Sequence, residues 1–318
     1  MTASRLGACG RRRWLGLGLS LATAIAACGV SNWALAADAP QRDFATPEQA
    51  IDALIAAVRS NDQHAQLRIL GPSGEKLIHS GDRVADRAGR RRLIEAYEAA
   101  HRIEVEAASA TLIVGQEDWA LPIPVVKQAE RWHFDTQASA QKIIDRRVGR
   151  NELNVIEVCR AYVAAQREYA SRDRLGDGLH EYAQSFESHA GQHDGLYWEA
   201  AASEEQSPLG PLAASAHAEG YPGEGLHGRR LPYHGYYFRI LKSQGNHAPG
   251  GARNYLVGGH MTGGFALLGF PAKWGDSGVM TFMVNQDGIV FQKNLGPDTE
   301  QLAREITQYD PDLSWTTP

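Results

Sequence analysis

His193, Asp194, Tyr197 and Trp198 fall within six positions of the run GQHDGLYWEA (191–200), beside two glycines. A histidine base oriented by a carboxylate, with a tyrosine close by, is a set that can drive acid–base hydrolysis. Adjacent residues seldom aim their side chains at one another, however, and no serine or cysteine stands on an elbow motif such as G-x-S-x-G. The same residues also suit a purely structural role. Asp-Gly turns a chain, while Leu196, Tyr197 and Trp198 bury apolar area and leave a polar edge at the rim. The structural use is the favoured reading; His193, Asp194 and Tyr197 are the catalytic set of the alternative.

The remaining reactive side chains form no recognisable set. His133 lies between Trp132 and Phe134, so strand alternation sends it to the face opposite theirs. His217, His227, His234, His247 and His260 are scattered through a Gly- and Pro-rich stretch without an HExxH or CxxC arrangement. No metal site and no cofactor are expected. Cys159 sits among apolar helix positions, where a thiol behaves as a small hydrophobe. Asp310 and Asp312 flank a proline and predict a turn that Leu313 and Trp315 tie to a core. The glycines of VGGHMTGGFALLGFP do not spell a dinucleotide-binding fingerprint and suggest bulges or tight turns.

These residues need elements to hold them. FATPEQAIDALIAAVRSND (44–62) predicts a helix capped by Thr46 with Pro47 in the first turn. HAQLRILG predicts a second helix, ending at Gly71-Pro72, and residues 86–103 a third. Residues 110–136 then alternate or run apolar with β-branched and aromatic residues, which predicts a meander. Helices followed by strands indicate α+β, in an order that resembles the cone of nuclear transport factor 2-like folds, where helices cover a curved antiparallel sheet. The basic stretch IIDRRVGRNE (143–152) places a domain boundary near Val148. From Asn151 to Ala170 apolar residues, Leu153 among them, cover most of a helix, which predicts burial. Strand-like segments at 235–245, 254–271 and 277–296, the last turning at NQDG, supply the sheet around it. A long helix packed on an antiparallel meander resembles the globular part of type II secretion pseudopilins. An intervening domain of about 110 residues departs from that pattern. The Ala-, Gly- and Pro-rich run at about 199–235 predicts a long surface excursion with one short helix at 209–219.

The N-terminus reads as an export signal over residues 1–36: Arg11, Arg12 and Arg13 precede an apolar run, and Ala34 and Ala36 suit cleavage before Ala37. IAAC (25–28) also fits a lipobox, in which Cys28 would carry a lipid anchor. The domains expected are therefore 37–148 and 149–318, in the periplasm or outside the cell. No later stretch reaches the roughly 20 apolar residues of a membrane span. Loss of Arg5, Arg11, Arg12 and Arg13 from 32 basic residues leaves 28 against 37 acidic ones, and moves the net charge from -5 to about -9. An acidic chain without a basic stripe is a poor nucleic-acid binder.

Taken together, ATPEQAIDAL, DWALPIPVV, RNELNVIEVCRAYVAAQREYA, DGLYWEA, YHGYYFRIL and GGFALLGFPAKWGDSGVMTFMVNQDGIVFQKNLG resemble the bacterial domain of unknown function 2950 family over about residues 44–316. The resemblance implies an exported bacterial protein and supplies no catalytic residues. The expected function is non-catalytic binding of a partner protein or envelope component. The alternatives are a hydrolase acting on an envelope polymer at an interdomain cleft, and a small-ligand binder using the N-terminal cone, with Trp119, Trp132 and Phe134 around an open cavity.

Overall fold

Thr46 accepts a hydrogen bond from the Gln49 amide and Pro47 follows it, so the first helix, α1 (Pro47–Arg59), begins where its cap dictates. The computed structural model describes residues 40–222 and 231–318, all within one compact unit, Ala39–Pro318. The export signal, Cys28, Ala36 and His227 lie outside the described residues. Among those described, no helix is long and apolar enough to cross a membrane.

After α1 come α2 (Gln63–Leu70), a short 3-10 turn, α3 (Glu75–Ile78) and α4 (Arg83–Ala99). The strands β1 (His101–Glu106), β2 (Ser109–Val114), β3 (Trp119–Ala120), β4 (Val125–Gln128) and β5 (Arg131–Phe134) follow. They form an antiparallel sheet in the order β1-β2-β4-β5, with β3 paired to β2. Ile51, Leu54 and Ile55 of α1 pack with Leu112, Val125 and Phe134 in a first core. The sequence reading ends the third helix at 103, whereas residues 101–106 are strand β1. Ile103 and Val105 alternate there with Arg102, Glu104 and Glu106, but the run is short, mostly exposed and directly follows α4.

A single 34-residue helix, α5 (Thr136–Tyr169), then runs across the expected boundary at Val148, capped by Asp135, which accepts from the Ala138 amide. Its start is therefore Thr136 and not Asn151, and the basic stretch is helical. The second half of α5 packs on β11 (Ala266–Pro271) and β12 (Met280–Asn285). These belong to an antiparallel sheet ordered β13-β12-β11-β6, completed by β6 (Tyr236–Leu241) and β13 (Phe291–Asn294). Val155, Val158, Cys159, Tyr162, Val163 and Tyr169 are buried in this second core, and the Tyr162 hydroxyl donates to the Ala266 carbonyl at 3.3 Å. Leu153 is the exception to the expected burial, at 66% exposed.

The excursion carries α6 (Gly210–Glu219), close to the predicted 209–219. Segment 254–271 is not one strand. It divides into β8 (Arg253–Asn254), which pairs with β7 (Ser243–Gln244), a hairpin of β9 (Leu256–Val257) and β10 (His260–Met261), and β11. The β12–β13 turn falls at Gly288, whose φ of +81° suits glycine. A last helix, α7 (Thr299–Glu305), contacts β11. The C-terminal turn starts at Asp312, which accepts from the Ser314 and Trp315 amides, while Asp310 lies before it and accepts from the His247 amide; Trp315 is buried, but Leu313 is fully exposed and ties nothing down.

Candidate functional site

Asp82 begins the site because it caps α4: its Oδ1 accepts from the Val84 and Ala85 amides at 3.0 Å each. Its Oδ2 accepts from the Tyr221 hydroxyl at 2.7 Å and the Gly235 amide at 2.9 Å, so one buried carboxylate fastens α4, the end of α6 and the entry to β6. From the other side Arg147 of α5 donates to the carbonyls of Asp276 and Lys76, both at 2.9 Å. The Asp276 carboxylate, fully buried, lies 3.0 Å from the Lys76 ammonium and 2.6 Å from that of Lys273.

Between these fastenings lies a cleft of about 690 Å³, inside the usual range for small-molecule sites. Leu54, Val58, Leu70, Ile78, Leu121 and Ile123 form buried apolar walls, with Leu77, Val84 and Leu93 half-buried beside them. Arg90, Arg91, Arg92, Arg147 and Arg150 also line it, against two carboxylates, Asp86 and Glu219. Among the described residues Arg90, Arg92 and Arg150 form no ion pair, and Arg91 makes only an exposed 3.5 Å pair with Glu95. The cleft is thus an apolar slot with an unneutralised guanidinium rim.

Its ionisable groups feel the low polarity. Burial raises the Asp86 carboxyl above its ordinary value, against hydrogen bonds from Ser80 and the nearby Arg147 charge. Burial likewise lowers Arg147. His234 is lowered mainly by burial, although Glu219, with its Oε2 3.2 Å from the ring Nε2, pulls the other way. Near neutral pH the imidazole adds no positive charge.

The residues singled out for hydrolysis are placed apart in role. Asp194 Oδ2 lies 2.5 Å from Nδ1 of His189, and Oδ1 accepts from the His189 amide at 2.8 Å. Burial alone would raise this carboxyl, but the His189 contacts outweigh it and hold it below its ordinary value. His193 instead stacks on Trp198, ring centroids 4.1 Å apart. His193 and Tyr197 line a groove of about 860 Å³ with His189, His217 and four glutamates, and Asp194 does not line it. One of those glutamates, Glu205, is held by Arg172 at 3.0 Å and Arg174 at 2.5 Å.

The loop is a pin. Ser188 and Tyr197 amides donate to the Tyr197 and Phe186 carbonyls at 2.8 Å, the Gly195 amide donates to Ser188 Oγ at 2.9 Å, and Leu196 is wholly buried. Arg174 spans the Tyr169 and Trp198 rings, 5.3 Å from each.

Trp132 and Phe134 fill the first core, and Trp119 is 52% exposed on β3, so these three do not ring a cavity. His133 is half-buried, its Nδ1 3.7 Å from Asp43. Cys159 is buried and its thiol is pushed up to about 12 by desolvation. A thiol reagent at pH 8 is expected to leave Cys159 unlabelled in the native chain and to label it fully in denaturant; fast native labelling would contradict its burial.

Sequence reasoning missed the cleft. Its arginines are visible as the runs GRRRL and DRRVGR, but the second reads as a domain boundary, and nothing local joins Leu54 to Arg150 or His234.

The fold and site define an α+β protein with antiparallel sheets and a basic, apolar-walled cleft. The chain belongs to the family described as protein of unknown function (DUF2950), whose model matches residues 41–317. No curated protein and no solved structure was found to match it.

Proposed function

We propose that the protein is an exported, non-catalytic, envelope-associated binder that holds an anionic amphiphile, such as a long-chain carboxylate or sulfonate, in the arginine-rimmed cleft. The observation that carries this reading is the pairing of buried Leu and Ile walls with Arg90, Arg92 and Arg150, which among the described residues form no ion pair. An acyl chain gains roughly 0.8 kcal/mol for each CH₂ it buries, and a planar guanidinium offers paired N–H donors to an oxyanion head. Export through the N-terminal signal, with soluble release after Ala36 or a lipid on Cys28, would bring the protein to membrane-derived amphiphiles. The first core, helices before an antiparallel sheet, suits a nuclear transport factor 2-like cone, and α5 on its sheet suits a pseudopilin-like half. Hydrolysis at His193, Asp194 and Tyr197 has less support, because His189 occupies the Asp194 carboxylate.

Calorimetric titration with dodecyl sulfonate below its micelle concentration tests the reading. Saturable binding is expected, with no comparable binding of dodecyltrimethylammonium. Arg150→Glu, on the exposed rim, should weaken it about tenfold, or ~1.4 kcal/mol. Because the Asp86 carboxyl titrates above its ordinary 3.8, acidification removes a negative charge from the cleft while the sulfonate stays ionised. Affinity should therefore rise as pH falls toward that value, and protonation of His234 acts in the same direction. A flat or inverted pH profile, or equal uptake of the cationic probe, would refute the proposal.

A further inference from the structure

The chain leaving α5 curls around Asp173, whose carboxylate accepts from the amides of Gly176 at 2.7 Å, Gly178 at 2.8 Å and Asp177 at 3.3 Å. This curl carries Asp177 and Glu181 to the β9–β10 hairpin, where His260 stands. Asp177 Oδ1 accepts from the Leu179 amide at 3.0 Å, and its Oδ2 lies 3.6 Å from His260 Nδ1. Glu181 Oε2 accepts from the Met261 amide at 3.1 Å, and its Oε1 lies 3.3 Å from the same ring nitrogen. One ligand atom from each of the three residues lies within 4.8 Å of the others.

We infer that Asp177, Glu181 and His260 bind a divalent transition-metal ion of the zinc class. Three observations converge. A tetrahedral ion with bonds of about 2.0–2.2 Å sets its ligand atoms about 3.3–3.6 Å apart, which are the separations found from His260 to the two carboxylates. The Glu181 side chain is 7% exposed, and among the described residues its Oε1 has no N–H donor outside the cluster. Among the described residues no lysine or arginine pairs with either carboxylate, so the buried Glu181 carboxylate meets one backbone amide, that of Met261, and a half-exposed imidazole, but no permanent cation. Burying a carboxylate without a counter-charge is costly, and a dication supplies one. The donor set favours zinc over calcium, which takes six to eight oxygens, whereas imidazole with carboxylate suits zinc. Three protein ligands leave the fourth position to water. The bound ion would clamp the loop after α5 to β10.

The full untagged chain, stripped with a chelator, is titrated with Zn²⁺ against a chromophoric competitor. One Zn²⁺ per chain is expected, with no uptake of Ca²⁺. Asp177→Asn, in an exposed loop, and His260→Ala should each weaken zinc binding at least about tenfold. Zinc should raise the melting temperature of the parent and not of either variant. His189→Ala, at an exposed histidine outside the cluster, should bind zinc like the parent. Absence of one-to-one uptake, unchanged affinity in both cluster variants, or loss of binding in His189→Ala would overturn the inference.

Discussion

Asp82→Ala should destabilise the protein by on the order of 4 kcal/mol. The substitution removes an N-cap, which costs about 1 kcal/mol, and strips the acceptor from the buried Tyr221 hydroxyl and Gly235 amide, each such loss costing about 1–3 kcal/mol. Asp82→Asn should lose about half as much, because the amide keeps an oxygen for the α4 cap but turns an N–H₂ toward the Gly235 N–H. Urea unfolding followed by circular dichroism measures both. The midpoint should fall with the slope unchanged. A loss under about 1 kcal/mol for the alanine variant would show that water replaces the carboxylate and that this fastening is not what holds α4.

The second large effect is expected at Gly195, and it bears on the pin. A Cβ there would sit 2.4 Å from the Glu187 carbonyl carbon and oxygen and 2.6 Å from the Ser188 nitrogen. These are backbone atoms and cannot swing aside. Gly195→Ala must therefore push strand-like segments 185–188 and 195–197 apart and break their hydrogen bonds, a loss of about 3 kcal/mol. Gly191→Ala in the same loop is the control. Its φ is +75° but no atom lies within 4 Å of the added methyl, so about 1 kcal/mol is expected. Comparable losses at the two glycines would mean that the crossing at Gly195 is loose, and that the HDGLYW run is free to serve some other purpose.

How much of this was legible depends on whether the cause of each feature is local. The start of α1 could be read because Thr46 and Pro47 act within one turn, and the β12–β13 turn because Gly288 carries its own conformational signal. The start of α5 could not. Gly149 and a cluster of arginines resemble a linker, and their helix is imposed by packing with distant chain, such as Arg147 on the Asp276 carbonyl. Strand β1 was hidden for a different reason: Ile103 and Val105 do alternate with charged residues, but the pattern spans only a few mostly exposed positions and abuts α4, so it merges with the helix in sequence. Leu153 and Leu313 were assigned to cores by residue type alone, and both face solvent. Adjacency speaks against an Asp194–His193 pair, but nothing local shows that the turn brings His189 round to Asp194 instead. The cleft was the least legible feature, since its walls come from α1, α2, α3, α4, α5 and the loop of Leu121 and Ile123, and its far edge from Ala218, Glu219, Tyr221 and His234.

The unbroken passage of α5 through both cores sets how the molecule comes apart. Its N-terminal turns carry Ala140 and Ile144 into buried positions, and its C-terminal turns bury Val155 to Tyr169. A nucleated helix propagates at little cost, so ordering one end favours the other, and fraying one end exposes apolar surface of its neighbour. Chain cut at Val148 would leave each fragment with half a rod and no cap at the break. The two hydrophobic clusters are thus bound to share one melting event, and evolution could adjust either only within what a common axle allows.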